Sequence, residues 1–426
     1  MKEHISAFLR KAVSPYHAVE ACKEVLEAAG FKELLLKNKW QLKKGGKYFM
    51  RHFGSTLIAF TVGADYKSGD GFRIAACHTD FPCFRVKPNP EMTENQYLKL
   101  NVEPYGGMIL NTWLDRPLSM AGRVTLRSEN IFQPEIRLVD FEKPLFIIPN
   151  LAIHMNRKVN EGVELNKQTD MLPLCGLYEE SEEKEGFFIK LLAEKLGVKK
   201  EDILEYELNL YNADKPETTG MKEEFFSAPR LDNMTSVLAI LDSITNGERT
   251  RGINVACFFD NEEIGSRTKQ GAGSAILNIV LEKISAALCP ECDMFVENMA
   301  ESMLLSVDVA HGLHPNQPGK SDPTHKNLLG RGFVIKESAS QSYATDSEAV
   351  AILRQLCDSE GIPYQRFANR SDSAGGGTLG SIASALLPVL TMDVGVPLLA
   401  MHSARELMGI EDQRALTKMV QAFYTK

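Results

Sequence analysis

The chain lacks the features that would assign it to a membrane, a nucleic acid or an oxidising compartment. No window of its 426 residues approaches a membrane-spanning apolar run, and its first ten residues already carry acids and bases. A formal net charge of −8 provides no basic stripe that could neutralise phosphates. We therefore expect a cytoplasmic protein without a nucleic-acid or membrane partner.

Cysteine is present, but it does not form a framework of closely spaced pairs. The eight cysteines are scattered, and several lie in apolar segments, as reduced core thiols do. Cys289 and Cys292 form a lone C-x-x-C pair. Without a second pair or a nearby histidine, a turn that ends a helix is a better interpretation than a structural zinc site.

The composition is that of a globular protein with more than one core. The chain is 44% hydrophobic and 24% charged, and its length exceeds what one core usually fills. Apolar strands and helical patterns occupy both ends, whereas short alternating strands punctuated by Gly, Pro and Asn occupy the middle. We expect an α/β/α domain with a mixed, mostly parallel sheet over 1–87 and 220–426, and an inserted, mostly β domain over 88–219.

The most informative segment is 254–266, where an apolar run ends in Asp260-Asn261-Glu262-Glu263 before a glycine. The run predicts a buried strand of a parallel sheet, and open α/β sheets place their chemistry at the carboxyl ends of such strands. Adjacent glutamates in a dry cleft repel each other unless a cation lies between them. A metal ion is therefore favoured, with Glu263 as ligand and Glu262 transferring protons. The alternative is a solvated turn.

Two histidines and two further acids lie at comparable positions, where a predicted strand ends or a helix begins. His78 follows an apolar strand and has Asp80 two residues later, which is typical of a metal ligand and the residue that orients it. Asp232 precedes an apolar helix, Asp308 follows another strand, and His402 precedes the last helix. A helix N-cap for Asp232 and a surface role for His78 are the alternatives. Imidazoles and carboxylates without cysteine indicate an open hydrolytic metal site.

Two local predictions concern structure. The apolar pattern after the glutamates predicts a long helix over 271–288. Asp115 and Arg116 are adjacent, so we predict a structural ion pair between them and not a metal-binding aspartate.

Several motifs together resemble the aspartyl aminopeptidase and aminopeptidase I family of cocatalytic zinc peptidases. The matching segments run nearly end to end: Ser14-Pro-Tyr-His17, His78-Thr-Asp80, Tyr105-Gly-Gly107, Thr112-Trp-Leu-Asp-Arg116, Asn150-Leu-Ala-Ile-His154, Arg230-Leu-Asp-Asn233, Asp260-Asn-Glu-Glu-Ile-Gly-Ser266, Asp308-Val-Ala-His311, His314-Pro-Asn316 and Ala400-Met-His-Ser403. The resemblance implies an α/β metallopeptidase domain with an inserted dimerisation domain. It also implies removal of the first residue from peptides.

The resemblance also implies a ligand set for two divalent ions. His78 and Asp308 would hold the first ion, Glu263 and His402 the second, and Asp232 would bridge them. Zinc is the implied metal, although nitrogen and oxygen ligands of this kind also accept cobalt or manganese.

Further roles follow from the same resemblance. Glu262 would be the general base, and Asp80 would orient His78. The family's insert mediates dimerisation within a tetrahedral dodecamer, where the histidine that matches His154 serves a neighbouring subunit's active site. Lys336 ends a predicted strand as in the acid-preferring members, which makes it the expected contact for an acidic first side chain, with a solvated strand end as the alternative.

Some alternatives to this function stay open. Residues 373–375 read Ser-Ala-Gly where many aspartyl aminopeptidases have Pro-Cys-Gly, so another first-residue preference is compatible with the sequence. A related metal-dependent deacylase or carboxypeptidase would not require a free substrate amine. A catalytically silent scaffold would have no need for adjacent carboxylates.

Overall fold

The computed structural model describes residues 1–178, 185–291, 294–373 and 375–426. Their contacts divide the chain into two compact units. The larger unit comprises Met1–Asp80, Pro216–Met401 and Glu406–Lys426, and the smaller unit comprises Phe81–Lys215 and His402–Arg405. The smaller unit is therefore an insertion into the larger one along the chain.

The larger unit begins with two helices followed by strands. In chain order these elements are α1 (Lys2–Lys11), α2 (Pro15–Ala28), β1 (Lys32–Glu33), β2 (Lys47–His52), β3 (Thr56–Val62) and β4 (Phe72–His78). Ser14 caps α2 because its hydroxyl accepts the backbone N–H of His17 at 3.3 Å, and proline occupies the first helical position.

The smaller unit is mostly β. Its elements are β5 (Cys83–Glu94), β6 (Tyr97–Tyr105), β7 (Leu118–Leu126), β8 (Glu135–Asp140), β9 (Leu174–Leu177), α3 (Phe187–Leu196) and β10 (Ile203–Asn212). The described strands pair antiparallel in the order β8-β7-β10-β5-β6-β9.

The predicted ion pair between Asp115 and Arg116 in this unit is wrong. The Arg116 guanidinium lies 2.9 Å from the carboxylate of Asp214, and the Asp115 carboxylate accepts the backbone N–H of Asn150 at 2.8 Å. Asp115 lies in a turn with φ of 61°, and each of the two residues finds its partner in another segment of the chain.

The remainder of the larger unit contains most of its helices. Its elements are β11 (Glu217–Thr219), β12 (Phe225–Ala228), α4 (Leu231–Asn246), β13 (Ile253–Phe259), α5 (Ile276–Leu288), α6 (Phe295–Ala300), β14 (Met303–Val307), β15 (Ala310–His311), β16 (Phe333–Lys336), α7 (Ser347–Glu360), β17 (Tyr364–Phe367), α8 (Leu379–Leu386), β18 (Leu390–Gly395), β19 (Pro397–Leu399), β20 (Glu406–Gly409) and α9 (Ile410–Thr425). Across the ranges that the structure describes, no helix combines the length and apolarity needed to cross a bilayer.

The described strands of the larger unit form one large mixed sheet and one small sheet. The large sheet has the order β1-β2-β3-β13-β4-β14-β18-β16-β17, and the small sheet has the order β11-β12-β20-β19-β15. In the large sheet, four adjacent strands run parallel to one another: β13, β4, β14 and β18. Strands β3 and β16 flank this group and run antiparallel to it. The mixed α/β fold predicted from the sequence is confirmed.

Strand β13 is the centre of the core. All its residues are buried, and Val255, Cys257 and Phe259 pack in one cluster with apolar residues of α5 and α8. Helices α4 and α9 pack against each other, and α4 also contacts β13. Because helices cover both faces of this strand, it is apolar throughout and does not alternate with polar residues.

Helix α5 is shorter than the sequence predicted. It begins at Ile276 because the preceding segment folds back on the loop after the glutamates. A Cβ atom on Gly271 would lie 2.1 Å from the carbonyl oxygen of Ser266, and the N–H of Gly273 donates to that oxygen at 3.0 Å. The helix ends at Leu288, immediately before Cys289, whereas Cys292 lies outside the described residues.

Helix α9 is attached to β13 through its last turn. The side-chain amide of Asn254 donates to the carbonyl oxygen of Tyr424 at 2.9 Å, and the Tyr424 hydroxyl donates to the carbonyl oxygen of Val255 at 2.8 Å. The Tyr424 side chain is fully buried. Water therefore cannot replace either hydrogen bond.

We expect Tyr424→Phe to lower the free energy of unfolding by about 1 kcal/mol, because it removes one buried hydrogen bond. Urea denaturation followed by circular dichroism measures the change. The matched control is Tyr97→Phe, since Tyr97 is 49% exposed and the same substitution there should be nearly neutral. Equal effects of the two substitutions would contradict this account of how α9 is attached.

Candidate metal centre

The two glutamates are presented by a sharp turn at the end of β13. Asn261 follows the strand with φ of 63°, a left-handed conformation that asparagine tolerates better than most residues. Glu262 and Glu263 then begin a single 3₁₀ turn, Glu262–Ile264. The side chains of both glutamates therefore lie at the carboxyl edge of the sheet, where the chain turns.

Asp80 holds this turn in place from the neighbouring strand. Its two carboxylate oxygens accept the backbone N–H groups of Glu262 and Glu263, each at 3.1 Å. Strands β4 and β13 pair in parallel with His78 opposite Phe259, so Asp80 lies directly beside the start of the turn. A carboxylate at the first N–H groups of a helical turn satisfies donors that have no partner within the turn.

His78 is oriented through Asp80, but mainly by the backbone of that residue. The His78 Nδ1 atom lies 3.0 Å from the carbonyl oxygen of Asp80 and 3.4 Å from its carboxylate. Because a carbonyl oxygen can only accept, Nδ1 carries a proton, and Nε2 is the nitrogen that the neutral ring would offer to a metal ion. The sequence anticipated a link between these two residues, and the structure adds the support that Asp80 gives to the glutamate turn.

Three ligand-type atoms converge around the Nε2 atom of His78. Asp232 at the beginning of α4 and Asp308 after β14 each place Oδ1 3.5 Å from it, and Oε2 of Glu262 lies at 3.9 Å. Ligand atoms of His78, Asp232 and Asp308 all lie within 4.8 Å of one another, as do those of His78, Glu262 and Glu263. The structure therefore brings together these five sequence-predicted residues.

The spacing of these atoms fits a transition-metal ion. Two ligand atoms bound about 2.1 Å from a tetrahedral zinc ion lie about 3.4 Å apart. The 3.5 Å separations from His78 to Asp232 and Asp308 agree with that value. The donor set also agrees, because imidazole nitrogen and carboxylate oxygen are the ligands of catalytic zinc sites.

The charges of these side chains are strongly coupled. Burial raises the pKa of Glu262 to about 8, with Asp308, Asp80 and Asp232 acting in the same direction and His78 opposing them. A carboxyl group in this environment is suited to exchanging protons near neutral pH.

Asp308 and His78 shift toward their charged forms. For Asp308, burial raises the pKa, but Lys336 and His78 outweigh it and the pKa falls to about 2. For His78, burial lowers the pKa, but contacts with Asp308, Asp80 and Glu262 outweigh that effect and the pKa rises well above its usual range.

Sequence reasoning missed two contacts that position the ligands. The carboxylate of Glu406 accepts the backbone N–H of Asp232 at 3.0 Å, and Glu406 is buried. Oδ1 of Asp308 accepts the N–H of Val309 at 2.7 Å. The sequence does contain a signal for Glu406, because this acid begins the short strand β20. It contains none for the N–H of Val309, because every residue except proline has a backbone donor.

Lys336, the expected contact for an acidic substrate, is the last residue of β16 and is only 1% exposed. Its Nζ atom donates to the carbonyl oxygen of Val309 at 3.0 Å and lies 3.8 Å from Oδ2 of Asp308. The structure thus places Lys336 against the cluster, and substrate binding by this residue stays a prediction from the sequence.

The remaining predicted site residues, His154 and His402, belong to the smaller unit. His402 Nδ1 lies 2.9 Å from the carbonyl oxygen of Gly107 in that unit, an arrangement that fixes the orientation of the ring. His154 is exposed, in a turn whose neighbours Ile153 and Met155 are 49% and 73% exposed. The roles assigned to both histidines stay predictions.

Comparison with known proteins finds relatives that match almost the entire chain. A family model described as aminopeptidase I zinc metalloprotease (M18) matches residues 8–424. A protein of Clostridium novyi (strain NT), named probable M18 family aminopeptidase 2, is 47% identical over 418 residues, which is 98% of this chain and 96% of that protein.

Solved structures give the same result. A chain in the cryo-EM structure of the Ape4 and Nbr1 complex superposes with a TM-score of 0.95 at 34% identity, covering 99% of this chain and 84% of that chain. The Saccharomyces cerevisiae mApe1 dodecamer superposes with a TM-score of 0.86 at 27% identity, covering 99% of this chain and 96% of that chain. Because the family match and the bacterial relative both extend over nearly the full length, this chain belongs to the M18 family of aminopeptidase I zinc metalloproteases and is a metal-dependent aminopeptidase.

Proposed function

We propose that the enzyme releases the first residue of peptides with two divalent ions per subunit. His78 and Asp308 hold one ion, Glu263 and His402 hold the other, and Asp232 contributes to both. The observation that carries this proposal is the convergence of His78, Asp232 and Asp308 within 4.8 Å at the carboxyl edge of the sheet. The family description supports zinc as the metal.

The bound ions would supply Lewis acidity toward the scissile carbonyl and a lowered pKa for water. Glu262 is the residue that moves protons. Its carboxylate accepts a proton from the attacking water and then returns the proton to the departing amine. Its Oε2 atom lies 3.9 Å from Nε2 of His78, beside the proposed ligands, which supports this role. Asp80 keeps Glu262 in position through the backbone of the turn.

We expect Glu262→Gln to lower kcat by about 10²–10⁴-fold, because glutamine retains the size of the side chain but cannot accept a proton. Zinc content per subunit, measured by elemental analysis after dialysis, should stay at the wild-type value.

The neighbouring residue provides the matched control. Glu263→Gln should lose bound zinc together with activity, because an amide oxygen is a weaker ligand than a carboxylate. If Glu262→Gln lost as much zinc as Glu263→Gln, Glu262 would be a ligand and its assignment as base would be wrong.

We further propose that the enzyme is a homo-oligomer, in the form of a tetrahedral dodecamer in which His154 serves the active site of a neighbouring subunit and stabilises the oxyanion. The dodecameric structure of S. cerevisiae mApe1 supports this assembly. The exposed apolar side chains of Leu151, Ile153 and Met155 around His154 support an interface at this turn.

Co-expression of two inactive variants tests whether His154 is shared. His154→Phe alone should impair kcat without changing the far-ultraviolet circular dichroism. In mixed oligomers of His154→Phe and Glu262→Gln subunits, about a quarter of sites would combine an intact Glu262 with a neighbour's His154 if subunits mix randomly. We therefore expect activity to return. Mixed oligomers with no activity would show that His154 acts within its own subunit, whereas full activity of His154→Phe alone would show that it has no role.

We also propose a preference for peptides that begin with aspartate or glutamate. The expected result is a higher kcat/KM for Asp- and Glu-anilides than for Leu-anilide, measured side by side. An N-acetylated Asp-anilide is the control, because an aminopeptidase requires the free amine and a deacylase or carboxypeptidase does not. Faster cleavage of the Leu-anilide would refute the acidic preference, and cleavage of the acetylated substrate would favour the deacylase.

The cytoplasm is the proposed compartment. Cys22, Cys77 and Cys257 are buried thiols, which a reducing environment preserves.

A further inference from the structure

Asp393 is a fully buried acid in β18 that the proposed reaction does not use. Its carboxylate accepts hydrogen bonds from the hydroxyl of Thr378 at 2.5 Å and from the backbone N–H of Ala344 at 2.6 Å. The backbone N–H of Asp393 donates to the hydroxyl of Thr345 at 2.8 Å. A buried carboxylate is costly unless its oxygens are hydrogen bonded, and these contacts satisfy it.

Helix α8 begins against this carboxylate, and a glycine makes room for it. Gly380 is the second residue of α8, and a Cβ atom there would lie 2.7 Å from Oδ1 and 2.8 Å from Oδ2 of Asp393. Thr378 is the N-cap residue of α8, and its backbone N–H donates to the carbonyl oxygen of Ser342 at 3.3 Å. The start of α8 and residues 342–345 are therefore fastened to each other and to Asp393.

The segment 342–345 carries a tyrosine that faces Lys336. The hydrogen bonds described above hold the residues on both sides of Tyr343. The ring of Tyr343 is 4% exposed, and its centroid lies 6.2 Å from that of Phe367 and 5.2 Å from Nζ of Lys336. An aromatic face attracts a cation at such a distance. The placement of this ring therefore restricts where the ammonium group of Lys336 lies.

Lys336 and Asp393 are also linked through the large sheet. They are direct partners in the antiparallel pairing of β16 with β18, and directly opposite residues point to the same face. Nζ of Lys336 donates to the carbonyl oxygen of Val309 at 3.0 Å and lies 3.8 Å from Oδ2 of Asp308. An ammonium group has three donors, and these contacts use at most two of them. A donor is thus left for the carboxylate of a substrate.

We propose that Asp393 is a positioning residue for the acidic preference, which fixes Tyr343 through hydrogen bonds and thereby places the ammonium group of Lys336 for the first side chain of the substrate. This inference rests on the proposed function in taking Lys336 as the contact for that side chain. A displaced ammonium group loses its hydrogen bond to an acidic side chain, whereas an apolar side chain makes no such bond. The loss is therefore confined to acidic substrates.

Two substitutions separate the hydrogen bonds of Asp393 from its charge. Alanine accepts neither hydrogen bond. Asparagine is uncharged, but its carbonyl oxygen can accept the N–H of Ala344 while its amide donates to the hydroxyl of Thr378. We expect Asp393→Ala to lower the ratio of kcat/KM for Asp-anilide to that for Leu-anilide by about 10–100-fold, the value of a hydrogen bond to a charged group. Asp393→Asn should keep the ratio near that of the wild type.

Further measurements exclude a general effect on the fold or the metals. The matched control is Asp70→Ala, because Asp70 is also a buried acid that accepts two backbone N–H groups, but it precedes the amino end of β4. This variant should keep the wild-type ratio. Zinc affinity, measured by competition with a chromogenic chelator, should be unchanged in Asp393→Ala. Thr345→Val removes only the hydroxyl that accepts the N–H of Asp393, and it should lower the ratio by a smaller factor.

Several results would overturn the proposal. Equal losses for Asp- and Leu-anilides in Asp393→Ala, or weaker zinc binding, would make Asp393 a general support of the structure. A ratio in Asp393→Asn as low as in Asp393→Ala would show that the charge acts and the hydrogen bonds do not. If Asp393→Ala fails to fold by circular dichroism, Thr345→Val decides, because an unchanged ratio in that variant contradicts the proposal.

Failure of the proposed function gives a different result. A wild-type enzyme without a preference for Asp-anilide over Leu-anilide would count against the acidic specificity itself. The crystal structure of Asp393→Ala would then decide the role of Asp393. We expect the ring of Tyr343 to move away from Lys336, and an unchanged separation of 5.2 Å between its centroid and Nζ would show that Asp393 does not position them.

Discussion

The metal centre depends on the repulsion between carboxylates that lie close together at one edge of the large sheet. Glu262, Glu263, Asp232 and Asp308 converge on a single imidazole in a buried setting. At separations near 4 Å in such a setting, like charges raise each other's free energy by several kcal/mol. Either protonation of one carboxyl group or a cation between the carboxylates removes this cost, and so the arrangement that destabilises the charged side chains also favours the binding of a metal ion.

Strand order explains how residues far apart in sequence reach this edge. Strands β13, β4 and β14 are adjacent and parallel, and each ends where a proposed site residue begins. The glutamate turn, the His78 segment and Asp308 are therefore brought side by side by backbone pairing. The buried apolar faces of β13 keep these strands in register, because a slip of one residue would turn its core side chains toward the opposite face.

Supporting contacts give the cluster its rigidity. Asp80 binds the backbone of the glutamate turn, Glu406 binds the backbone of Asp232, and Lys336 lies against Asp308. Each supporting residue is itself charged and buried, so each is held by the partners that it positions. An active site of this kind is preorganised, since the ligands need not rearrange when an ion binds.

The sequence by itself determined the mixed α/β fold, and it also predicted an inserted β unit and a set of metal ligands. These features are local, because the alternation of apolar residues and the acid at the end of a strand are visible in a short window. It misplaced the start of α5 and the partner of Arg116, which depend on segments distant in the chain.

Only the tertiary structure decided how the site residues are supported. Backbone donors such as the N–H of Val309 have no sequence signature, and the burial of Lys336 depends on strands β17 and β18 lying beside β16. A lysine at a strand's end is equally compatible with solvent, substrate or a buried acid until its neighbours are known. The physical reason is that electrostatic roles are set by distance and burial, which arise from packing between segments and not from the order of residues.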